Sequence, residues 1–476
     1  MSTARALALN TGVQIIGKIV STSIGIVIIG IMTRFLGQEG FGIYSTANAF
    51  LQVFALLMDM GLNVTFIAIL GEHADDPAYE RRCTSALFTL RILMAVVMIV
   101  ALAPLAAWFT PGYSPLLKWA IFLLTGSFFF PALNQVVTGV QQRHLKMHVA
   151  AIGEVLGRIV LFVGLLGIVR WHGGLLEMVV FVSLGSLANF LWCYMLTKRY
   201  AALTWNWDPP FWKQTLKRSW PVGVSIAFNL IYFKADTLIL SWVRSSAEVG
   251  IYSAAYRVLE IAITIPFMYA GLLLPLLSRA LAEQNKPRFT HLLSRSVDVT
   301  MLLILPMMAG AWLLGTPLMT LVAGKDFTAS GAVLPILMLA VGVIYLNVIF
   351  SHAVVALDAQ RKMLGVYIFT ALVTLLGYIL FIPPYGMFAA AWLTVFSEVC
   401  VGLGSLYVTR RYIALGLQAR TTLAACGATL VMVMVVWPLR EEWVPIPLIA
   451  GAATYVVAVW ALGGISKEMK QLWGRS

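Results

Sequence analysis

Charge is what this sequence has least of. Asp, Glu, Lys and Arg make up only 11% of its 476 residues, while hydrophobic residues reach 60%. Soluble domains carry roughly 25% charged and about 45–50% apolar residues. A water-soluble fold has no interior large enough to hide that much apolar surface, so a bilayer must cover it. Cysteine is also scarce. Cys83, Cys193, Cys400 and Cys426 form no CxxC pair and mostly fall in apolar runs, which excludes a disulfide or metal framework and reads as buried small hydrophobes. Long polar loops are missing, which leaves no room for a separate folded domain. The chain has no GxxxxGK[ST] nucleotide loop, no HExxH pair and no nucleophile elbow. ATP hydrolysis on this chain is excluded, and no cofactor is expected. The early Arg5 is followed by a long mixed segment without a small-residue cleavage site, so the first apolar stretch is expected to remain as a membrane helix.

What the chain does contain is long apolar segments. A spanning helix needs about 20 mainly apolar residues. By that measure fourteen spans are expected, at 8–35, 41–70, 83–109, 116–140, 147–169, 174–197, 220–243, 250–279, 292–322, 330–357, 363–382, 386–409, 421–438 and 445–464. Basic residues concentrate in loops kept in the cytoplasm. With the N-terminus inside, 22 of the 33 Lys and Arg fall in cytoplasmic segments and six in opposite-side loops. Both termini are therefore expected inside, and topology accounts for much of the +13 net charge. Nucleic-acid binding is not implied. The longest polar connection, 198–219, carries Trp205, Trp207 and Trp212, with Trp220 just after it. Tryptophan favours the headgroup level, so a helix lying on the inner membrane surface is expected there, contacting membrane lipids.

One short phrase occurs twice. Gly42-Ile43-Tyr44-Ser45 opens span 2, and Gly250-Ile251-Tyr252-Ser253 opens span 8. Two further matches follow in order: Gly139 to Arg143 with Leu357 to Arg361, and His172-Gly173-Gly174 with Tyr385-Gly386. Spans 1–6 and 7–12 thus read as two copies of a six-helix unit, with spans 13 and 14 appended. An even number of helices makes the copies parallel repeats, expected to enclose a central cavity. The domain limits that follow are an N-lobe at 1–197, a linker at 198–219, a C-lobe at 220–409, and a C-terminal pair with its tail at 410–476.

Fourteen spans, the repeated Gly-Ile-Tyr-Ser, the run Pro383-Pro384-Tyr385-Gly386-Met387-Phe388-Ala389-Ala390-Ala391, and Asn229 with Asp236 ahead of Gly250 resemble the polysaccharide-transport branch of the multidrug/oligosaccharidyl-lipid/polysaccharide flippase superfamily. The resemblance covers nearly the whole chain. It implies a Wzx-type flippase that is not an enzyme, moving a polyprenyl-diphosphate-linked oligosaccharide from the cytoplasmic to the outer leaflet of the inner membrane. A proton or sodium ion is the implied coupling partner, and polysaccharide-assembly proteins are implied associates. A lipid II-type flippase or a drug or cation exporter of the same superfamily is the alternative transporter, but the exporter should present a carboxylate-rich cavity. A membrane glycosyltransferase or polymerase would carry catalytic motifs on sizeable outer loops, and this chain has only short ones.

Independently of family, ionisable residues inside spans mark transport pathways, because each is costly away from water or a partner. Lys18, Arg91 and Arg158 lie in N-half spans and are expected to form a cationic group for a diphosphate, which must shed water to cross. Gln14 and Lys18 share a helical stripe with Ser21 and Gly25, as Asn229, Tyr232 and Asp236 do in span 7. Gln14, Asn229, Tyr232 and Tyr256 are candidate sugar contacts. Asp59, Glu154, Asp236, Arg257 and Glu398 are candidates for ion coupling. Glu154 with Arg158 and Arg257 with Glu260 have the spacing of intrahelical ion pairs. Asp236 and Arg257 fall at matched depth on adjacent spans and are a further candidate pair.

Overall fold

Helix is the only regular structure among the described residues. The computed structural model describes residues 3–199 apart from 64, 67, 68 and 70–75, then 201, 203–413 and 419–464, with the side chains of 3–11, 15, 77, 221, 222, 224–233 and 419 left out. Ten of its helical stretches are long and apolar enough to cross a membrane. This is a multi-pass, all-helical membrane protein.

Two helices are too long for a single crossing, and each is broken at a glycine. Helix α1 (Thr3–Asp59) bends at Gly37, with φ 64° and ψ −174°. That backbone region is essentially reserved for glycine, and it falls between expected spans 1 and 2. The later break is at Gly386, φ 58°, directly after Pro383 and Pro384, whose missing amide protons weaken the ladder. It lies in the helix Gln360–Arg410, between expected spans 11 and 12.

The chain forms two units, Met1–Gly250 and Ile251–Ser476. In the first, α2 (Pro77–Ala95) continues through a π-helical turn, Val96–Leu102, into α3 (Ala103–Phe109). After α4 (Pro115–Leu124) and α5 (Gly126–Arg143) come α6 (Met147–Arg170) and α7 (Leu175–Thr197), which pack together. The helix α8 (Pro209–Val243) and α6 both run against α1. Leu62, Phe66, Leu87, Leu133, Val137 and Phe190 are the centre of one apolar core here.

The second unit takes up α9 (Ser246–Ala262) from Ile251 onward, then α10 (Thr264–Ala282), α11 (Lys286–Ala323), α12 (Ser330–Ala356) and α13 (Gln360–Arg410). Its most buried helix is α12, which packs between α11 and α13. The pair α14 (Ala419–Leu439) and α15 (Pro445–Ala461) rests on α11 through Leu314, Met432 and Val436.

The repeated tetrapeptide has a packing role. A Cβ on Gly42 would run into the Ser246 carbonyl oxygen, and one on Gly250 into the Gln38 carbonyl oxygen. Each would also lie close to the other glycine's amide nitrogen, at 3.0 and 3.1 Å. The contact is reciprocal, each glycine meeting the carbonyl four residues before its counterpart. Small residues let helix backbones approach this closely in a bilayer. Ser45 and Ser253 are likewise equivalent, both buried with their hydroxyls unbonded among the described residues. A second echo is at helix ends. The α5 end closes with Lys146 N to Gln141 O and Leu145 N to Gln142 O; the α12 end closes with Ala359 N to Val354 O and Asp358 N to Val355 O.

The connection before α8 departs from expectation. Residues 203–208 are not helical, and 209–219 form the start of α8. The reason is a set of bonds to α2 that pin this non-helical stretch. Arg82 pairs with Asp208 at 2.7 Å, Thr89 Oγ1 accepts from the Asn206 amide at 2.9 Å, and Trp212 Nε1 donates to the Ala86 carbonyl at 2.8 Å. Trp212 is therefore a buried anchor, while Trp205, Trp207 and Trp220 are exposed. Among the cysteines, Cys83 and Cys193 are buried as expected, Cys400 is half-buried and Cys426 is exposed.

Candidate functional site

The α1–α6 seam brings two of the three expected cations together. The helices close on small residues: a Cβ on Gly17 would lie 2.9 Å from the Ala151 Cβ. One turn on, Lys18 Nζ lies 3.2 Å from Glu154 Oε1, and Ser21 Oγ donates to the same oxygen at 2.8 Å. Glu154 thus bonds across to α1, and the expected pairing with Arg158 along its own helix is not made. Lys18 and Ser21 converge on one carboxylate oxygen, a better-satisfied arrangement than a single i, i+4 contact. Arg158 instead lies over Gly25, its guanidinium 3.7 Å from where a Cβ there would be. It is half-buried and has no ion-pair partner among the described residues.

Two cations and one carboxylate leave this group with a net positive charge. The Lys18 and Glu154 side chains are 44% and 36% exposed, so an anion can reach them. A free guanidinium in a membrane-spanning region can grip phosphate oxygens through parallel hydrogen bonds. Gln14 stands one turn before Lys18 on the same face, half-buried. The other side of the seam is an apolar groove lined by Val13, Ile16, Val20, Ile152, Val155 and Leu156.

Arg91 does not join this group, contrary to expectation. Its side chain is 0% exposed and bonds Asp59 Oδ1 at 2.5 Å. Its Nε and Nη1 have no hydrogen-bond partner among the described residues. Position along α2 was legible in the sequence, but the direction of the side chain into the packed interior was not. Asp59 is thereby neutralised, as a static buried ion pair neutralises its members.

The other expected residues are dispersed. Asn229 and Tyr232 lie on α8, with side chains outside the described residues. Asp236 is buried and accepts from the Thr237 amide at 2.5 Å. Arg257 pairs with Glu260 at 2.7 Å, as their spacing suggested. Tyr256 is buried beside Tyr252, with ring centroids 5.7 Å apart, and so packs the interior where an open sugar-contacting surface was expected.

Glu398, on the second limb of α13, is buried and accepts from Asn347 Nδ2 at 3.2 Å. Ser351 and Ser405 both donate to Asn347 Oδ1, at 3.0 and 3.1 Å. Sequence reasoning found Glu398 and missed these partners. The signal was present: Asn347 and Ser351 are four apart in an apolar helix, and Glu398 and Ser405 are seven apart. Among the described residues, no three His, Cys, Asp or Glu side chains converge as a metal site would require.

Comparison with known proteins places this geometry. Residues 7–281 match the family described as polysaccharide biosynthesis protein, and residues 221–381 match MatE. The chain is 23% identical to the probable flippase AglR of Haloferax volcanii, over 98% of each chain. It is 25% identical to the succinoglycan biosynthesis transport protein ExoT of Rhizobium meliloti, over 72% of this chain and 67% of that one. In fold it resembles the lipid II flippase MurJ in an inward closed conformation, with a TM-score of 0.78 at 15% identity over 94% of this chain and 97% of that chain. A polysaccharide-family match over more than half of a chain whose charges are buried within apolar helices leaves one conclusion: it belongs to the polysaccharide biosynthesis protein family, Wzx-type flippases of the multidrug/oligosaccharidyl-lipid/polysaccharide superfamily, and is a transporter and not an enzyme.

Proposed function

We propose that this protein carries a polyprenyl-diphosphate-linked oligosaccharide from the cytoplasmic to the outer leaflet of the inner membrane by alternating access. The observation that supports it most directly is Arg158, a guanidinium without a carboxylate partner among the described residues, held over Gly25 beside the Lys18–Glu154 pair. A diphosphate entering a low-dielectric region must exchange hydration for fixed donors, and Arg supplies them in a fork that matches its oxygens. Lys18 supplies a compact second charge that Glu154 holds in place until the anion arrives. The glycan relatives support the substrate class.

In this reading the chain crosses the membrane fourteen times. The limbs on either side of Gly37 and Gly386 count separately, and α8 and α15 are crossings too. The N-lobe at 1–197 and the C-lobe at 220–409 are parallel six-helix repeats, 198–219 joins them on the cytoplasmic side, and both termini are cytoplasmic. The reciprocal Gly42–Gly250 packing and the matching ends of α5 and α12 support the repeat. Proton or sodium movement drives the cycle. The MatE match over 221–381 favours a second reading, an exporter of organic cations; the net positive group at the α1–α6 seam weighs against it.

The test is translocation of a labelled lipid-linked oligosaccharide in vesicles reconstituted with the purified protein. Wild type should move the label between leaflets, and Arg158→Ala should slow that by about tenfold or more, the loss of one charge-assisted contact. Equal rates for wild type and protein-free vesicles would overturn the reading.

A further inference from the structure

Glu398 differs from the acids of the apolar helices that form ion pairs. Asp59 is paired with Arg91, Glu154 with Lys18 and Glu260 with Arg257. Glu398 is only 2% exposed and makes no ion pair among the described residues. Its one hydrogen-bonded neighbour among the described residues is an uncharged amide, Asn347 Nδ2. An ionised carboxylate offers about four acceptor sites, and one neutral donor leaves most of them empty. Burying a charge on those terms costs far more than a hydrogen bond returns, so such a group takes up a proton or a cation instead.

We propose that Glu398 is a proton-binding site, occupied by its proton in the conformation described here, whose proton is exchanged with water when transport exposes it. The coupling part of this proposal rests on the flippase reading above; the site itself does not. The neighbours suit the acid form. Two serine hydroxyls, from Ser351 and Ser405, donate to Asn347 Oδ1. That fixes the amide with its nitrogen toward Glu398, so Oε2 is the accepting oxygen and the other oxygen is left to carry the proton. Ser405 has a single proton to give and three acceptors in range, Asn347 Oδ1 at 3.1 Å, the Val401 carbonyl at 2.9 Å and Ser351 Oγ at 3.3 Å. The Ser405 hydroxyl can therefore either add to the Ser351 bond on the amide or turn away from it, leaving Ser351 as the donor to Asn347 Oδ1. On release, the Glu398 O–H bond breaks, the proton passes to water, and the carboxylate is left needing solvent. A proton-free Glu398 is compatible only with an opened α12–α13 contact.

The other titratable groups on these helices are accounted for. On α12, Tyr345 donates to the Ala262 carbonyl and His352 Nδ1 bonds the Val348 carbonyl. On α13, Tyr367 faces Ser351 and Glu398, Tyr378 is buried, and Cys400 is half-buried. Arg361 and Lys362 sit in the first turn of α13 and Arg410 and Arg411 at its end, with Tyr407 bonded to Arg411 and Tyr385 exposed beside the Gly386 break. A bound sodium ion is the competing occupant, and the test separates the two.

Infrared spectra of the purified full-length protein at neutral pH, in sodium-free buffer, should contain a protonated-carboxyl band that Glu398→Gln removes. Asn347→Ser should shift that band without abolishing it, because the acid remains and only its donor changes. Absence of the band in folded wild type, or its removal by added sodium at constant pH, overturns the proposal. In reconstituted vesicles, a pH gradient should speed glycolipid transfer by wild type. Glu398→Gln should retain gradient-free exchange and lose the acceleration. Acceleration unchanged in Glu398→Gln overturns the coupling role. A band in wild type that moves no glycolipid would sink the flippase reading while supporting the proton site.

Discussion

Arg158 and Arg91 carry the same charge in opposite surroundings, and substitutions at the two should separate function from stability. Arg91 is fully buried, with Asp59 as its partner. Breaking a buried pair by removing one member costs about 3–5 kcal/mol, whereas replacing both members with apolar groups is often neutral. Arg91→Ala is therefore expected to lower the thermal unfolding temperature in detergent sharply, and Arg91→Met combined with Asp59→Leu to recover most of the loss. Equal destabilisation by the single and double variants would show that Asp59 is not what Arg91 stabilises. Arg158→Ala removes a half-buried group with no ion-pair partner among the described residues, and its stability cost should stay within about 0.5 kcal/mol. The Lys18–Glu154 bridge is partly exposed, so its own contribution is small, about 0.2–1 kcal/mol. Reversing both charges, Lys18→Glu with Glu154→Lys, should preserve the fold yet move the positive charge onto α6. Transport that survives the reversal would mean that net charge, not the placement of Lys18, is what the substrate senses.

At the scale of elements, the glycine breaks and the pinned connection determine where helices turn. Gly37 and Gly386 hold positive φ in a region that other residues enter only with strain, of order 1–3 kcal/mol each. Gly37→Ala and Gly386→Ala are each expected to lower unfolding stability by that amount, while Gly12→Ala, whose Cβ would meet nothing, should not. Asp208 has two tasks, accepting from the Phe211 amide at the start of α8 and pairing with Arg82. Loss of the capping oxygen alone costs about 0.5–2 kcal/mol, so Asp208→Ala should destabilise more than Arg82→Ala, whose side chain is largely exposed. The reverse order in paired unfolding measurements would place the weight on the ion pair.

For the whole molecule, the repeated Gly-Ile-Tyr-Ser is a structural requirement before it is a family marker. Bulk at either glycine would push apart backbones that touch through Gln38 and Ser246. Gly42→Val and Gly250→Val should each reduce the yield of monodisperse protein severely, and to a similar degree, because the contact is reciprocal. A large loss at one and none at the other would argue against equivalence of the two copies. The proposed fourteen-crossing topology is checked separately by fusing a cytoplasm-dependent fluorescent reporter after residue 476, where a bright signal is expected, and within the 171–174 turn, where it should be dark.

Composition and period determined the membrane class and the positions of the helices, because each depends on local properties: apolar length and the 3.6-residue turn. Glycine at 42, 250 and 386 was visible as part of the sequence matches, and the backbone uses each for close approach or positive φ. Partner choice was not visible. Glu154 is four residues from Arg158 on one helix, yet bonds Lys18, 136 residues away, because α1 and α6 close on Gly17 and Ala151. Arg91 and Lys18 looked equivalent by depth, and only packing turned one inward to Asp59 and left the other half-exposed. The connection at 203–208 reads as an interfacial helix by its tryptophans, but bonds from α2 pin it in a non-helical path. Asn347 came within reach of Glu398 only once α12 packed on α13. Spacing along a helix sets which face a side chain occupies; what that face meets depends on the crossing of other helices, and that information exists only in the tertiary structure.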